Sequence, residues 1–260
     1  MKNKIFPDKS RILVNRKITA GCYRMVLKTP RISRQALPGQ FLEIKVADSY
    51  EPFLRRPFGV HRVRGENLEI LYEVVGKATE ILAQKKAGEY LDVIGPLGNG
   101  FRLNITHSTL NILVAGGMGV APLMFLAEKL AETKHQVLIG AKTKSQIFCE
   151  KEFQDLGSDV KISTDDGSQG FKGKVTDLLQ KILPHAISHK PLAIYACGPR
   201  PMLQEISRIS KKYNIPAQIS LEEHMACGIG ACLGCVVNTR AGYARVCKEG
   251  PVFDADKIVW

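Results

Sequence analysis

Residues 111–132 read NILVAGGMGVAPLMFLAEKLAE. The run from Asn111 to Ala115 is almost wholly apolar, too short for a helix, and stopped by Gly116 and Gly117. That is the pattern of a strand buried on both faces. From Val120 the apolar residues recur at three- and four-residue spacing, which predicts a helix. Strand, glycine turn and helix together make the opening unit of a parallel α/β sheet. The alternation continues toward the C-terminus. QVLIGAK (136–142), DVKIST (159–164), LAIYACG (192–198) and AQISL (217–221) predict strands, and VTDLLQKIL (175–183) and PMLQEISRISKKY (201–213) predict helices. A parallel sheet covered on both faces is the expectation.

Toward the N-terminus the pattern changes. RILVNRKI, YRMVLK, QFLEIKV, FGVHRV, NLEILYEVV and YLDVIG are short β-branched runs. Turn signals at Pro30, Pro38-Gly39, Gly65-Glu66-Asn67 and Gly88-Glu89 separate them. Such spacing predicts a closed antiparallel barrel, interrupted by one helix over Lys77–Lys86. The last forty or so residues are rich in Gly and Cys, with little material for a core. They read as a small module held by a metal centre. The fold class expected is therefore a β barrel plus α/β, with boundaries at 1–103, 104–217 and 218–260.

Composition narrows the function classes. A chain of 260 residues suggests about two domains and an appendage. A hydrophobic fraction of 45% is ample for folded cores. No run of eighteen apolar residues exists, so no membrane span is expected. The basic N-terminus MKNKIFPDKSRILVN lacks the apolar core of a signal peptide, which places the protein in the cytoplasm. The formal charge is +12, but Lys and Arg are spread along the chain without a dense basic block, so nucleic acid is not the expected partner. Seven cysteines, an odd number, argue against a disulfide framework in a cytosolic chain. Cys22 and Cys149 read as small, partly buried side chains.

Three constellations carry chemistry. Cys227, Cys232, Cys235 and Cys247 have the spacing C-x4-C-x2-C-x11-C. The first three match the plant-type 2Fe–2S loop, with a distal fourth ligand. Gly228, Gly230 and Gly234 let the backbone aim N–H groups at the sulfurs. Structural zinc and free thiols are the rival readings, but zinc sites usually present two cysteine pairs, and here the fourth cysteine stands alone. The second constellation is Gly116, Gly117 and Gly119 between strand and helix, where a pyrophosphate can sit on the helix N-terminus. It is not the G-x-G-x-x-G fingerprint, and a purely structural turn fits it as well. A second turn at Cys197, Gly198 and Pro199 follows a later strand, and in a parallel sheet both turns lie where ligands bind. Cys197 reads either as a buried small residue or as a contact to a nicotinamide ring. The third is Arg55-Arg56-Pro57-Phe58-Gly59 with Leu71-Tyr72-Glu73 and Gly76-Lys77-Ala78-Thr79. An arginine can hold a diphosphate with paired hydrogen bonds. The alternatives are a solvated arginine pair and a core tyrosine.

Together these features resemble the ferredoxin–NADP reductase superfamily, whose R-x-[YF]-[ST] flavin motif falls on Arg56 to Gly59. RRPFGV, LYEVVGKAT, GPLGNGF, GGMGVAPL, TDDGSQGFKGKVTDLL, ACGPRPML, EEHMACGIGACLGCVV and VCKEGPVFDADKIVW narrow the resemblance. They are similar to the electron-transfer subunits of dihydroorotate dehydrogenase B, from about residue 10 onward. The resemblance implies FAD on the barrel (1–103), NAD on the α/β domain (104–217) and a 2Fe–2S cluster on the C-terminal module (218–260). It puts FAD contacts on Arg56, Pro57, Phe58, Gly59, Leu71, Tyr72, Glu73, Ala78 and Thr79, and cluster ligands on the four cysteines. It implies a partner, the FMN-containing catalytic subunit that oxidises dihydroorotate to orotate in pyrimidine synthesis, joined in a hetero-oligomer such as a heterotetramer. Electrons would pass from the partner's FMN through the cluster and FAD to NAD⁺, with no side chain acting as acid or base.

Two departures from the family pattern stand out. Gly59 replaces a usual Ser or Thr, and Ala78 replaces a usual Gly. Lys142 and Lys144 leave NADP open beside NAD. Met225, Ile229 and Leu233 read either as a docking face around the cluster or as loop residues resting on the barrel. Two other functions remain: a flavin subunit of an NAD(P)H:ferredoxin or sulfide oxidoreductase, and a zinc-bearing nucleic-acid binder.

Overall fold

The computed structural model describes residues 4–19, 21–103, 109–187 and 191–260. The expected boundary at 103/104 abuts residues 104–108, which lie outside the described residues. The chain forms two compact units. One holds the residues up to Gly100 with Glu222–Val237 and Tyr243–Pro251; the other holds Phe101–Leu221, Asn238–Gly242 and Val252–Trp260. Residues 218–260, read from the sequence as a third module, are shared between these two units.

The first unit is built on β1 (Phe6–Thr19), β2 (Cys22–Lys28), β3 (Phe41–Lys45), β4 (Arg56–Gly59), β5 (Arg62–Arg64), β6 (Asn67–Glu73) and β7 (Tyr90–Leu97). A short helix α1 (Pro30–Ser33) follows β2, and α2 (Lys77–Gln84) follows β6. The strands lie in the order β4-β3-β7-β1-β2-β6-β5, and the ladders between them among the described residues are antiparallel. The sequence reads FGVHRV as one strand, whereas here it is two. The chain turns a corner at Val60 and His61, so β4 runs along one edge of the sheet and β5 along the other. Val60 N–H bonds to Gln40 O at 2.9 Å and His61 N–H to Glu69 O at 2.8 Å. The corner, not a ladder, joins the two edges and curls the sheet into a half-barrel. An apolar run gives no signal for such a corner, because both sides of it are buried. Ile12, Met25, Leu27, Leu42, Ile44, Leu68 and Ile70 fill the interior.

The second unit contains β8 (Leu110–Gly116), α3 (Val120–Lys129), β9 (His135–Ala141), α4 (Glu150–Asp155), β10 (Asp159–Thr164), β11 (Phe171–Lys172), α5 (Val175–Ile187), β12 (Leu192–Cys197), α6 (Arg200–Tyr213) and β13 (Ala217–Ser220). After β13 come β14 (Val236–Thr239) and β15 (Gly242–Arg245), a two-stranded ribbon, and β16 (Val252–Asp254). The sheet order is β11-β10-β9-β8-β12-β13-β16, parallel except for β16. From β8 the chain adds β9 and β10 on one side, then returns to add β12 and β13 on the other. Right-handed crossovers place the helices of the two halves on opposite faces. The reversal puts a switch point between β8 and β12, where open α/β sheets bind their ligands. Helix α3 is buried from Val120 through Ala127, which explains its nearly unbroken apolar sequence. Helix α6 ends at Asn214, whose φ of 52° is the left-handed conformation that stops a helix. No helix among the described residues is long and apolar enough to cross a membrane.

Candidate functional site

The cysteine loop belongs to the first unit and carries neither helix nor strand from Glu222 to Cys235. Gly228 and Gly230 sit at φ 65° and 85°, which only glycine adopts freely. Backbone N–H groups point at the sulfurs. Ala231 and Cys232 donate to Cys227 Sγ at 3.3 and 3.4 Å, Gly234 to Cys232 Sγ at 3.4 Å, and Cys247 to Cys235 Sγ at 3.4 Å. Burial pushes the Cys227 thiol up, but N–H groups of Cys232, Ile229 and Ala231, with the Cys232 side chain, outweigh it and hold the thiol down at about 6. Burial pushes Cys247 up to about 12, helped by Cys235 and Cys227.

The thiols form pairs. The Cys232 N–H bonds to Cys227 Sγ, and the Cys247 N–H to Cys235 Sγ. The first pair lies toward solvent, with Cys232 exposed, while the second is buried. Among the described residues no three of His, Cys, Asp or Glu converge tightly enough for one metal ion. Four thiols with backbone N–H groups at their sulfurs are the donor set that a 2Fe–2S cluster takes. Donor set and N–H cradle both fit a 2Fe–2S cluster.

The second limb of the site is clamped in place. Arg245 donates from Nη1 to Gly230 O at 2.8 Å and from Nε to Glu249 Oε2 at 3.0 Å. Asn99, just after β7, donates from Nδ2 to the carbonyls of Lys248 and Glu249 at 3.1 and 3.0 Å. The sequence singled out neither Arg245 nor Glu249; their i,i+4 spacing was the only signal. Of the three apolar residues near the cysteines, Ile229 is 50% and Leu233 59% exposed, while Met225 is half-buried. The first two therefore present large apolar surface to solvent.

The proposed flavin residues gather on β4, β6 and the start of α2. Arg55 and Arg56 divide their work. Arg55 is committed to Asp92, bonding its carboxylate at 2.7 Å and its carbonyl at 2.9 Å. Arg56 uses Nη1 on Leu54 O at 2.7 Å and on Arg55 O at 3.2 Å. Phe58 meets Tyr72 edge-on at 5.8 Å, and Tyr23, which sequence reasoning missed, stacks on Tyr72 at 5.5 Å. Tyr23 lies directly opposite Tyr72 in the β2–β6 ladder. The Tyr72 hydroxyl donates to Asn15 Oδ1 at 2.9 Å, and Asn15 Nδ2 donates to Leu82 O and Lys85 O at 2.9 and 2.8 Å. Tyr72 is thus a core residue, and burial raises its phenol well above the ordinary range. Leu71 is buried too, whereas Glu73 is exposed. The Thr79 hydroxyl accepts from Val75 and Gly76 N–H at 2.9 and 3.2 Å and donates to Gly76 O at 2.9 Å. It shapes the α2 N-terminus, leaving backbone N–H groups for phosphate. Ala78 is buried beside it. Gly59 closes β4 opposite Phe41.

One charged residue sits where no sequence pattern pointed. Glu43, between Leu42 and Ile44 in β3, is fully buried. Neither carboxyl oxygen has a hydrogen-bond partner among the described residues. Burial pushes the carboxyl up to about 7; Arg55 opposes the rise, Cys227 adds to it, and Arg56 opposes it.

In the second unit the two glycine turns meet backbone to backbone. A Cβ on Gly119 would lie 2.0 Å from Cys197 O, and one on Gly198 would lie 2.9 Å from Gly116 N. Gly116 faces Pro199 and Met202 as closely, at 2.8 and 2.7 Å. Gly117, at φ 54°, faces open space. The first turn of α3 carries no acidic residue and no side-chain cap, so its N–H groups suit a phosphate. Cys197 is buried at the end of β12.

Comparison with known proteins matches two family models: the iron-sulfur cluster binding domain of dihydroorotate dehydrogenase B over residues 222–259, and the oxidoreductase NAD-binding domain over 113–208. The chain is 41% identical to the dihydroorotate dehydrogenase B (NAD(+)) electron transfer subunit of Desulforamulus reducens, covering 99% of each. This chain belongs to that family. The subunit of the same name from Caldanaerobacter subterraneus is 40% identical, covering 97% of this chain and 98% of the relative. A solved structure of NADH-dependent reduced ferredoxin-NADP oxidoreductase, described for flavin-based electron bifurcation, aligns with TM-score 0.85 at 29% identity. That alignment covers 100% of this chain and 92% of the other. A ferredoxin NADP+ reductase from Neisseria gonorrhoeae shares the fold, with TM-score 0.67 at 17% identity over 81% of this chain and 92% of the other. A dihydroorotate dehydrogenase B electron-transfer subunit is an NAD-linked oxidoreductase component, and both the barrel and the parallel sheet are those of the ferredoxin–NADP reductase fold.

Proposed function

We propose that this subunit carries electrons between NAD and a separate FMN-containing subunit that oxidises dihydroorotate to orotate, the two assembling as a hetero-oligomer such as a heterotetramer in the cytoplasm. The full-length match to subunits of that name carries the reading. When bound, nicotinamide exchanges electron pairs as hydride, a 2Fe–2S cluster exchanges single electrons, and a flavin does both.

The chain's residues bind and orient these groups. Cys227, Cys232, Cys235 and Cys247 ligate the cluster. Arg56 and the N–H groups at Ala78 and Thr79 receive the FAD diphosphate. Pro57, Phe58, Gly59, Leu71, Tyr72 and Glu73 form the strands beside it, with Leu71 and Tyr72 contributing backbone because their side chains are buried. Gly116, Gly117 and Gly119 receive the NAD phosphates, and Cys197, Gly198 and Pro199 line the nicotinamide end. No side chain is needed as acid or base. Exposed Cys232, Ile229 and Leu233 support a docking face for the partner at the cysteine loop.

The test is co-purification from the native host. The expected result is a second chain with bound FMN that reduces this subunit when given dihydroorotate. Recovery with an iron–sulfur-rich flavoprotein instead would favour the reading as a flavin subunit of an NAD(P)H:ferredoxin or sulfide oxidoreductase, which the alignment at TM-score 0.85 keeps in view.

A further inference from the structure

Strand β1 breaks its own alternation and brings one polar side chain inward. At a two-residue period Ile12 and Val14 would share a face of the sheet. Instead the register against β2 shifts between them: Ile12 is paired with Leu27 and Val14 with Val26. Leu13 is thus the extra residue of a β-bulge, and a bulge re-aims the side chains around it. Ile12 is fully buried, whereas Val14 is left 38% exposed and Asn15 half-buried. Exposing a valine to enclose an asparagine is unfavourable on packing grounds alone. The enclosed amide uses both its N–H bonds and its oxygen. Nδ2 donates to Leu82 O at 2.9 Å and to Lys85 O at 2.8 Å, and Oδ1 accepts the Tyr72 hydroxyl at 2.9 Å. Backbone carbonyls can only accept, so the amide has one orientation.

We propose that Asn15 is a positioning residue for the flavin site: it anchors the C-terminal turn of α2 to the barrel and so fixes where the N-terminus of that helix meets the FAD diphosphate. The inference rests on the reading that Ala78 and Thr79 receive that diphosphate. The last carbonyls of a helix find no partner within it, and here a side chain from β1 supplies one. Helix α2 has eight residues, too few to hold its shape alone. Thr79 bonds to Val75 and Gly76, residues that flank the helix, so those bonds shape its first turn without locating it on the sheet. Leu82 and Asn15 locate it, Leu82 through burial without direction and Asn15 through directed hydrogen bonds. The same amide holds Tyr72, the β6 residue stacked on Tyr23. One side chain therefore joins the strand proposed to lie beside the flavin to the helix proposed to receive its phosphates. Without that tie α2 samples other placements, and FAD must select the competent one at a cost in affinity.

The test is a fluorescence titration of the full-length, flavin-depleted chain with FAD and with riboflavin, which has the same ring system and no phosphate. Wild type is compared with Asn15→Asp and Tyr72→Phe at neutral pH. Asp keeps the size and the acceptor of Asn15 but has no N–H for the α2 carbonyls. Phe keeps the stacked ring and removes only the hydroxyl. In Asn15→Asp the dissociation constant for FAD is expected to rise about tenfold, the scale of two lost hydrogen bonds, and in Tyr72→Phe about threefold. The constant for riboflavin stays at the wild-type value in both, because riboflavin has no group for the helix N-terminus. Equal weakening of FAD and riboflavin overturns the proposal, since Asn15 would then serve the fold as a whole. FAD affinity unchanged in Asn15→Asp overturns it as well. Should Asn15→Asp not fold, Tyr72→Phe decides by the same comparison. A wild-type chain that binds riboflavin as tightly as FAD is a separate result: it removes the diphosphate reading itself, and the proposal with it.

Discussion

Cys235→Ser abolishes electron transfer from the partner while the subunit keeps oxidising NADH with a dye as acceptor. Cys235 is 2% exposed and belongs to the buried thiol pair with Cys247. Its Sγ accepts the Cys247 N–H at 3.4 Å, and its carbonyl accepts Val246 N–H at 2.9 Å. Serine keeps the size, so the loop keeps its path. It loses the thiolate, which is the ligand. Even residues that only orient a metal ligand cost about 10–100-fold when removed, so loss of a ligand lowers partner-dependent turnover by at least about 100-fold. The flavin residues on β4 and β6 are untouched by the change. Stopped-flow reduction by the partner and steady-state dye reduction, measured on one preparation, separate the two activities. Partner-dependent transfer at the wild-type rate would remove the cluster from the route.

Gly119→Ala weakens nicotinamide-nucleotide binding by about tenfold or more, equivalent to at least about 1.4 kcal/mol. The backbone at Gly119 has an ordinary φ of −59°, so conformational strain plays no part. Space decides instead. The new methyl would stand 2.0 Å from Cys197 O and 2.4 Å from Cys197 C. Those are main-chain atoms at the end of a buried strand, and they cannot rotate away. The β8 and β12 turns must separate, which displaces the N-terminus of α3 from the place proposed to receive phosphate. Overpacking of this kind typically costs about 1–3 kcal/mol. Gly117→Ala is the contrasting case: nothing lies within 4 Å of the added methyl, and only the φ of 54° resists it. The KM for NADH is the measurement. A KM unchanged in Gly119→Ala would mean that the paired turns do not hold the nucleotide.

The amino-acid sequence showed these features unequally. NILVAG and LAIYACG were readable as parallel strands because burial on both faces leaves no polar positions. The spacing of Cys227, Cys232, Cys235 and Cys247 was readable because a short loop must present its ligands locally. The corner at Val60 and His61 was not, since apolar residues on both sides of a bend look like one strand. Nor was the backbone contact of Gly119 with Cys197, which is set by long-range sheet order. The split between Arg55 and Arg56 depends on Asp92, a residue of β7 that no local pattern links to β4. Glu43 was hidden for the opposite reason. A charge flanked by apolar residues in a strand ordinarily faces water, and the cysteine loop lies against this one. Residues 218–260 looked like an independent module because their composition cannot build a core. In the fold their contacts are shared between the two compact units, while residues 222–259 match an iron-sulfur cluster binding domain as a whole.

The central claim is that the four cysteines form one two-iron centre. Iron and acid-labile sulfide analysis of the anaerobically purified subunit, combined with EPR after reduction, tests it directly. The account predicts two irons and two sulfides per chain and a one-electron signal of a reduced 2Fe–2S cluster. A colourless protein holding a single zinc ion, and silent in EPR, would contradict it.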